Sequence, residues 1–316
     1  MATLVTGAGL LGASFAQVAK TRDEKIYFFD PEPRAAFLRQ KLGEGGYQLI
    51  RGDVRSLPDL VEAIATHRVH TIVHTAGLIG GRVQREISQA FDINVVGTRN
   101  VAEASRLAGV KRIVHLSTFG AYDWRRPLAG AITEDFPLGP GRAYGNFKVA
   151  KEMILEAFAA QFRIELIMLR PANVFGAGHF WGGSSGGARL QELMKAAIAG
   201  RPARLSAADA ADVEYVYAKD VGAAIDLAAT VPAPCERAFN IGSGQVTPFD
   251  DLVSAVREIC PGLQLEIEDG ERPGAKSESL DISLARKRLG WSPRFSLREA
   301  LRDYHADLAA EQSAQP

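Results

Sequence analysis

Six short apolar runs mark the first half of the chain: ATLVT (2–6), KIYFF (25–29), YQLI (47–50), HTIVHT (70–75), RIVHLS (112–117) and IELIMLR (164–170). None alternates apolar with polar positions, so each reads as a strand buried on both faces, the pattern of a parallel sheet covered by helices. Between them apolar positions recur at helical spacing, as in SLPDLVEAIATHR (56–68) and FDINVVGTRNVAEASRLAG (91–109). The second stretch stops at Gly109, a residue type that closes helices. The first half is therefore expected to be a doubly wound α/β domain.

Past Arg170 the alternation of strands and helices breaks down. Gly, Pro and Ala crowd GAGHFWGGSSGGARL (176–190) and AGRPARLSAADAAD (199–212). A strand-like VEYVYA (213–218), a helical DVGAAIDLAAT (220–230) and a strand and turn in RAFNIGSG (237–244) come next. The expected organisation is a large lobe of residues 1–169, to which segments near 213–244 return. A smaller interleaved lobe is expected from 170–212 and 245–310, with 311–316 a disordered tail.

Composition then removes whole classes of function. Of 316 residues, 37 are basic and 37 acidic, so no nucleic acid or anionic membrane is implied as a partner, and a small-molecule substrate is. Cys235 and Cys260 stand apart with no clustered histidines, which argues against a disulfide framework and against a metal site. With no basic segment ahead of an apolar run and no 18 consecutive apolar residues, the chain reads as soluble and cytoplasmic.

Candidate chemistry begins at TGAGLLG (6–12). Gly7, Gly9 and Gly12 form a GxGxxG between the first strand and a helix, serving a tight turn, close backbone approach to a pyrophosphate and helix-on-strand packing. The second strand ends in Asp30, where a carboxylate accepts hydrogen bonds from ribose hydroxyls and repels a 2′-phosphate. That favours NAD over NADP, with Arg34 the residue that keeps NADP as the lesser alternative. Asp30 also suits a helix N-cap, and Asp53 in RGDVRS suits either an adenine contact or a plain turn. The glycine-rich loop after HTIVHT lies where ligands sit in open parallel sheets, and His74 reads as a buried structural histidine.

Tyr-x-x-x-Lys occurs twice, as YGNFK (144–148) and YVYAK (215–219). Residues four apart lie about 6 Å apart on a helix and about 13 Å apart on a strand. The first copy opens a helical stretch and the second reads as strand, so Tyr144 with Lys148 is the expected pair. A cation beside the phenol and a bound nicotinamide would both favour phenolate, letting Tyr144 shuttle a proton. Ser117 and Thr118, at the end of the fifth run, are candidates to orient a substrate oxygen, Thr118 ahead of Ser117, and either hydroxyl also suits a structural cap.

Together, TGAGLLG, GDV (52–54), HTAG, NVVGT, LST, YGNFK, LRPANVFGAG, VEYVYAKDV, FNIGSG and the late LDISLARKRLGWSP resemble the extended short-chain dehydrogenase/reductase family, the NAD-dependent epimerase/dehydratases. The resemblance implies a Rossmann fold with a C-terminal substrate-binding lobe, and Thr118, Tyr144 and Lys148 as catalytic residues with Ser117 beside them. It implies NAD contacts at Gly7, Gly9, Leu10, Leu11, Gly12, Asp30, Asp53, Val54, Thr75, Ala76, Gly77, Asn94, Tyr144, Lys148, Pro171, Asn173 and Val174. Gly80, Thr118, Phe119, Asn173 and Arg272 are implied on the substrate side. Homodimers are implied too, formed by pairing the helices that carry NVVGTRN and YGNFK.

Departures from the family pattern narrow the chemistry. The run Thr118-Phe119-Gly120 lacks the acid that water elimination needs, which argues against dehydration. Where nucleotide-sugar enzymes carry a diphosphate-clamping arginine, this chain has Val213-Glu214-Tyr215, and Arg272 is the second clamp position kept. The expectation is an NAD-dependent dehydrogenase of a sugar, sugar acid or similar polyhydroxylated alcohol. The alternatives are an epimerase similar to UDP-galactose 4-epimerase and a non-catalytic dinucleotide sensor. GHFWGGSSGG, with Trp181, suits a mobile lid as well as a loose surface loop.

Overall fold

The computed structural model describes residues 1–178, 184–273 and 278–313. Strands β1 (Ala2–Thr6), β2 (Lys25–Asp30), β3 (Tyr47–Arg51), β4 (Thr71–His74), β5 (Arg112–Leu116) and β6 (Glu165–Pro171) coincide with the six apolar runs. After them come β7 (Asn173–Phe175), β8 (Ala203–Leu205), β9 (Val213–Tyr217), β10 (Ala238–Ile241), β11 (Val246–Thr247) and β12 (Leu265–Ile267). The helices of the first half are α1 (Leu10–Ala19), α2 (Ala35–Leu42), α3 (Leu57–His67), α4 (Gly81–Arg85), α5 (Ile87–Phe91), α6 (Gly97–Ala108) and α7 (Ala143–Phe162). Those of the second are α8 (Ser185–Ile198), α9 (Ala218–Thr230), α10 (Phe249–Ile259), α11 (Ser283–Leu289) and α12 (Leu297–Ser313).

Seven strands form one sheet in the order β10-β6-β5-β4-β1-β2-β3, every pairing parallel. Successive residues of β1 explain why its sequence does not alternate. Leu4 packs with Leu60, Val101 and Leu155 of α3, α6 and α7, whereas Val5 packs on the other face with Phe15 of α1 and Ile225 of α9. Both faces are core, so both need apolar side chains. The chain leaves β1 toward β2 on one side and later returns to β4 on the other, which opens a ligand crevice at the carboxyl edge between them.

Local sequence sets the helix ends. Ser56 accepts from the Asp59 amide to cap α3, with Pro58 in its first turn, and α6 stops where Gly109 takes φ 74°. Against α1, α9 packs so closely that a Cβ on Gly222 would lie 2.4 Å from the Ser14 carbonyl oxygen.

Beyond β6 the chain alternates between two cores. Within 213–244, β9 pairs with β7 and β11 in a small separate sheet, while α9 packs on α1 and β10 adds to the edge of the main sheet. Leu193, Met194, Phe249, Leu301 and Tyr304 fill the second core. Residues 311–313 of the expected tail belong to α12, which runs through Ser313, with Glu311 partly buried near Lys41 and Lys195. Trp181 and most of the expected lid lie outside the described residues, as do residues 314–316. No helix among the described residues is long and apolar enough to cross a membrane.

Candidate active site

The first wall of the site is the β1–α1 turn. Gly7 takes φ 90°, and a Cβ there would lie 2.9 Å from the Thr75 hydroxyl oxygen and 3.0 Å from the Ala76 nitrogen. Gly9 is the N-cap of α1 with no side-chain cap, and the space where its Cβ would stand is open to beyond 4 Å. Bare amides at a helix N-terminus beside open space fit a diphosphate. Gly12 sits against Val5 and Phe28, where any side chain would separate helix from sheet. Leu10 and Leu11, half-buried, fill the first turn of α1.

Asp30 ends β2 with one carboxylate oxygen accepting from the Ala8 amide at 2.9 Å and the other from the Glu32 amide at 2.8 Å. It does not cap α2, whose N-cap is Arg34. Anchored on two amides, the carboxylate keeps lone pairs for ribose hydroxyls, so these residues fit NAD. Asp53 is a turn aspartate: Arg55 grips it through both side chain and backbone, which holds its carboxyl below the usual range. Val54 is buried and packs against Gly97.

The second wall is the turn after β4. Thr75 donates its hydroxyl to the carbonyls of Thr6 at 2.7 Å and Gly7 at 3.1 Å, tying this turn to the first. Asn94, buried in a π turn at 92–96, brackets Leu78, accepting from its amide at 2.9 Å and donating to its carbonyl at 3.1 Å. A Cβ on Gly77 would lie 2.5 Å from the Asn94 side-chain oxygen. Gly80 takes φ 63° just ahead of α4. His74 is fully buried between the hydroxyls of Thr6 and Thr98, and burial holds its imidazole well below its ordinary value.

At the end of β5 the two hydroxyls part company. Ser117 donates to Glu152, which pairs with Arg170; Arg170 donates to the Tyr122 hydroxyl, which donates in turn to Asn240. That buried chain occupies Ser117. Thr118 caps the turn Phe119–Ala121 by accepting from the Gly120 amide, and its side chain lies against the Tyr144 hydroxyl, close enough to favour the phenolate. Cap and active-site contact are therefore both present at Thr118, with half-buried Phe119 beside it against Trp124.

Tyr144 lies in the first turn of α7, and Lys148 one turn later reaches to within 5.8 Å of its ring centroid. Lys148 donates to the Leu116 carbonyl. Burial pushes its amine down to about 8, against the pull of Glu152. Burial pushes the Tyr144 phenol up to about 12, against the pull of the Thr118 side chain. The second Tyr-x-x-x-Lys is split between elements: Tyr215 is buried on β9 beside Arg189, and Lys219 on α9 pairs with Asp303.

Past β6, which Pro171 ends, half-buried Val174 lies in β7, where Asn173 donates to the Glu214 carbonyl at 3.1 Å. Arg272 stands on the small lobe, half-exposed, 3.8 Å from Asp250 and over the Phe249 ring. Glu214 is buried, accepting from the amides of Gly244 and Leu280 at 2.7 Å each, and burial pushes its carboxyl up to about 7 against those amides. Its carboxyl is turned inward, onto these two amides. Three residues escaped the sequence reading: Glu152, Arg170 and Lys151. Glu152 and Lys151 had a signal, since positions 144, 148, 151 and 152 share one helical face.

A family model described as the NAD dependent epimerase/dehydratase family matches residues 3–242. The UDP-glucose 4-epimerase of Mycolicibacterium smegmatis is 30% identical over 308 residues, 95% of this chain and 96% of that protein. The dTDP-6-deoxy-L-talose 4-dehydrogenase (NAD(P)(+)) of Kitasatospora kifunensis is 33% identical over 265 residues, 81% of this chain and 80% of that protein. Among solved structures, MoeE5 in complex with UDP-glucuronic acid and NAD superposes with a TM-score of 0.84 at 26% identity, covering 98% of this chain and all of that one.

Proposed function

The chain belongs to the NAD-dependent epimerase/dehydratase family, and on that premise we propose that it oxidises and re-reduces one secondary alcohol of a nucleotide sugar, inverting that carbon without net release of NADH. It is an NAD-dependent enzyme of the extended short-chain dehydrogenase type that acts on sugars. The observation that carries the proposal is the Thr118–Tyr144–Lys148 grouping at the carboxyl edge beside the Gly7 and Thr75 turns.

In this reading Thr118 and Tyr144 hold the substrate oxygen, and Tyr144 takes its proton and returns it. Bound NAD supplies a hydride acceptor and a cationic ring. Bringing the Tyr144 phenol from about 12 to near neutrality takes about 7 kcal/mol. The cofactor's cationic ring, worth about 4 kcal/mol for a charge about 4 Å away at an effective dielectric near 20, covers about half of that. Lys148, 5.8 Å from the Tyr144 ring centroid, already stands beside the phenol at the value of about 12.

The preference for a nucleotide sugar is supported by Glu214 facing inward and by the half-exposed Arg272, whose 3.8 Å ion pair is loose. MoeE5, with its UDP-glucuronic acid and NAD, and the UDP-glucose 4-epimerase of M. smegmatis point the same way. Val213 supports a second reading, a dehydrogenase of a smaller sugar that releases NADH, because no cation stands there to clamp a diphosphate. We further infer a homodimer across α5, α6 and α7, which expose Ile87, Phe91, Leu107, Met153 and Phe162.

The test is incubation with NAD and matched panels of UDP-sugars, dTDP-sugars and free sugars, with products followed by NMR and NADH by absorbance. Inversion of one UDP- or dTDP-sugar without NADH, lost in Tyr144→Phe, is the expected result. Accumulating NADH with a free sugar overturns it in favour of the second reading.

A further inference from the structure

Lys151 is among the largest fully buried side chains, 1% exposed, one turn past Lys148 on α7. Its amine donates to the Ala76 carbonyl at 2.8 Å and stands 3.5 Å from where a Gly77 Cβ would be. An amine is expensive to bury. The carboxylate next to it in sequence, Glu152, is paired with Arg170. On its own helix it faces Lys148; from β4 and β5 it faces His74 and His115, both held neutral by burial. Burial, with Lys148 adding to it, drives the Lys151 amine well below its ordinary value. A Met at this position would fill the same space at lower cost.

What the amine touches is the wall of the dinucleotide cradle. The turn is held at three places: Thr75 on Thr6 and Gly7, Leu78 on Asn94, and Ala76 on Lys151. Of these, Lys151 alone reaches the turn from beneath on α7, the helix that carries Tyr144 and Lys148.

We propose that Lys151 is a positioning residue for the cofactor, holding the Ala76 carbonyl so that the Thr75–Leu78 turn keeps its backbone against the Gly7 turn in the shape that receives NAD. This rests on the NAD assignment and not on the identity of the sugar. The arrangement trades stability of the empty protein for affinity, so the two should move in opposite directions when the amine is removed.

Equilibrium titration of NADH by fluorescence and thermal unfolding of nucleotide-free protein test it on wild type, Lys151→Met and Lys151→Gln. The expected result is NADH affinity about tenfold weaker in Met and about threefold weaker in Gln, which keeps a shorter donor. The unliganded Tm of the Met variant should be unchanged or higher, and kcat at saturating NAD and sugar should change less than twofold. In the Asn94→Ser background, Lys151→Met should weaken NADH by less than it does alone, because both residues hold one turn. NADH binding at wild-type strength in Met and Gln overturns the proposal, whatever the Tm does. Should Lys151→Met not fold, Lys151→Gln decides alone, and wild-type affinity there is the overturning result. A wild-type protein that does not bind NADH would instead overturn the cofactor assignment, and this proposal with it.

Discussion

At the scale of single residues, the site is built from groups whose burial works against their task until a ligand arrives. Tyr144 is held up at about 12 in the empty protein. NAD⁺ binding is expected to lower that value, seen as a tyrosinate absorbance step that moves to lower pH with NAD⁺ and is absent in Tyr144→Phe. Lys148 carries the opposite signature. Its folded value of about 8 lies below the ordinary 10.5, so between those values the unfolded chain binds more protons and stability rises with pH. The cost of charging it, about 3 kcal/mol, is present in full below pH ~8 and relieved toward pH ~10.5. Any Tm advantage of Lys148→Met over wild type at pH 7 should therefore shrink by pH 10, measured by calorimetry. Residue types at the right spacing made Gly7, Asp30, Thr118, Tyr144 and Lys148 legible in the sequence. How Asp53 and Ser117 are held was not legible, because their partners, Arg55 in one case and Glu152 in the other, are set by side-chain direction and tertiary packing.

Elements explain why some motifs function as pairs and others do not. One face of α7 carries Tyr144, Lys148, Lys151 and Glu152, so a single helix sets four side chains against the ends of β4 and β5. YVYAK fails as a pair because β9 ends at Tyr217 and Lys219 belongs to α9. On β9, Glu214 ties the small sheet to the 243–244 turn and to Leu280 through buried amides. Glu214→Ala would leave those amides unsatisfied at roughly 1 kcal/mol or more each, so denaturant titration should show a loss of about 2–3 kcal/mol while NADH binding survives. The six apolar runs announced six of the seven strands of the main sheet. Strands such as β7, β8, β11 and β12, two or three residues long, are too short to carry a period, and their pairing depends on contacts distant in sequence.

For the whole molecule, the exposed apolar side chains on α5, α6 and α7 make the prediction. Single-sited exposed apolar residues are ordinary, but Phe91 also touches Phe147 across two of these helices, as a patch awaiting a second copy would. Met153→Glu and Phe91→Glu should convert a dimer to a monomer on light scattering, with little change in the monomer's fold; a monomeric wild type would refute the interface. Interleaving of the lobes was visible in the sequence only as a loss of regularity after Arg170, since it depends on which sheet each later strand joins. That interleaving has a consequence for how the protein is made. Until the ribosome has released β10, the strand β6 is left as an open edge, apolar and able to pair with another nascent chain. The cradle for the nucleotide is synthesised early and its flanking strand arrives late, so from Pro171 to Ala238 the growing chain carries that edge unpaired.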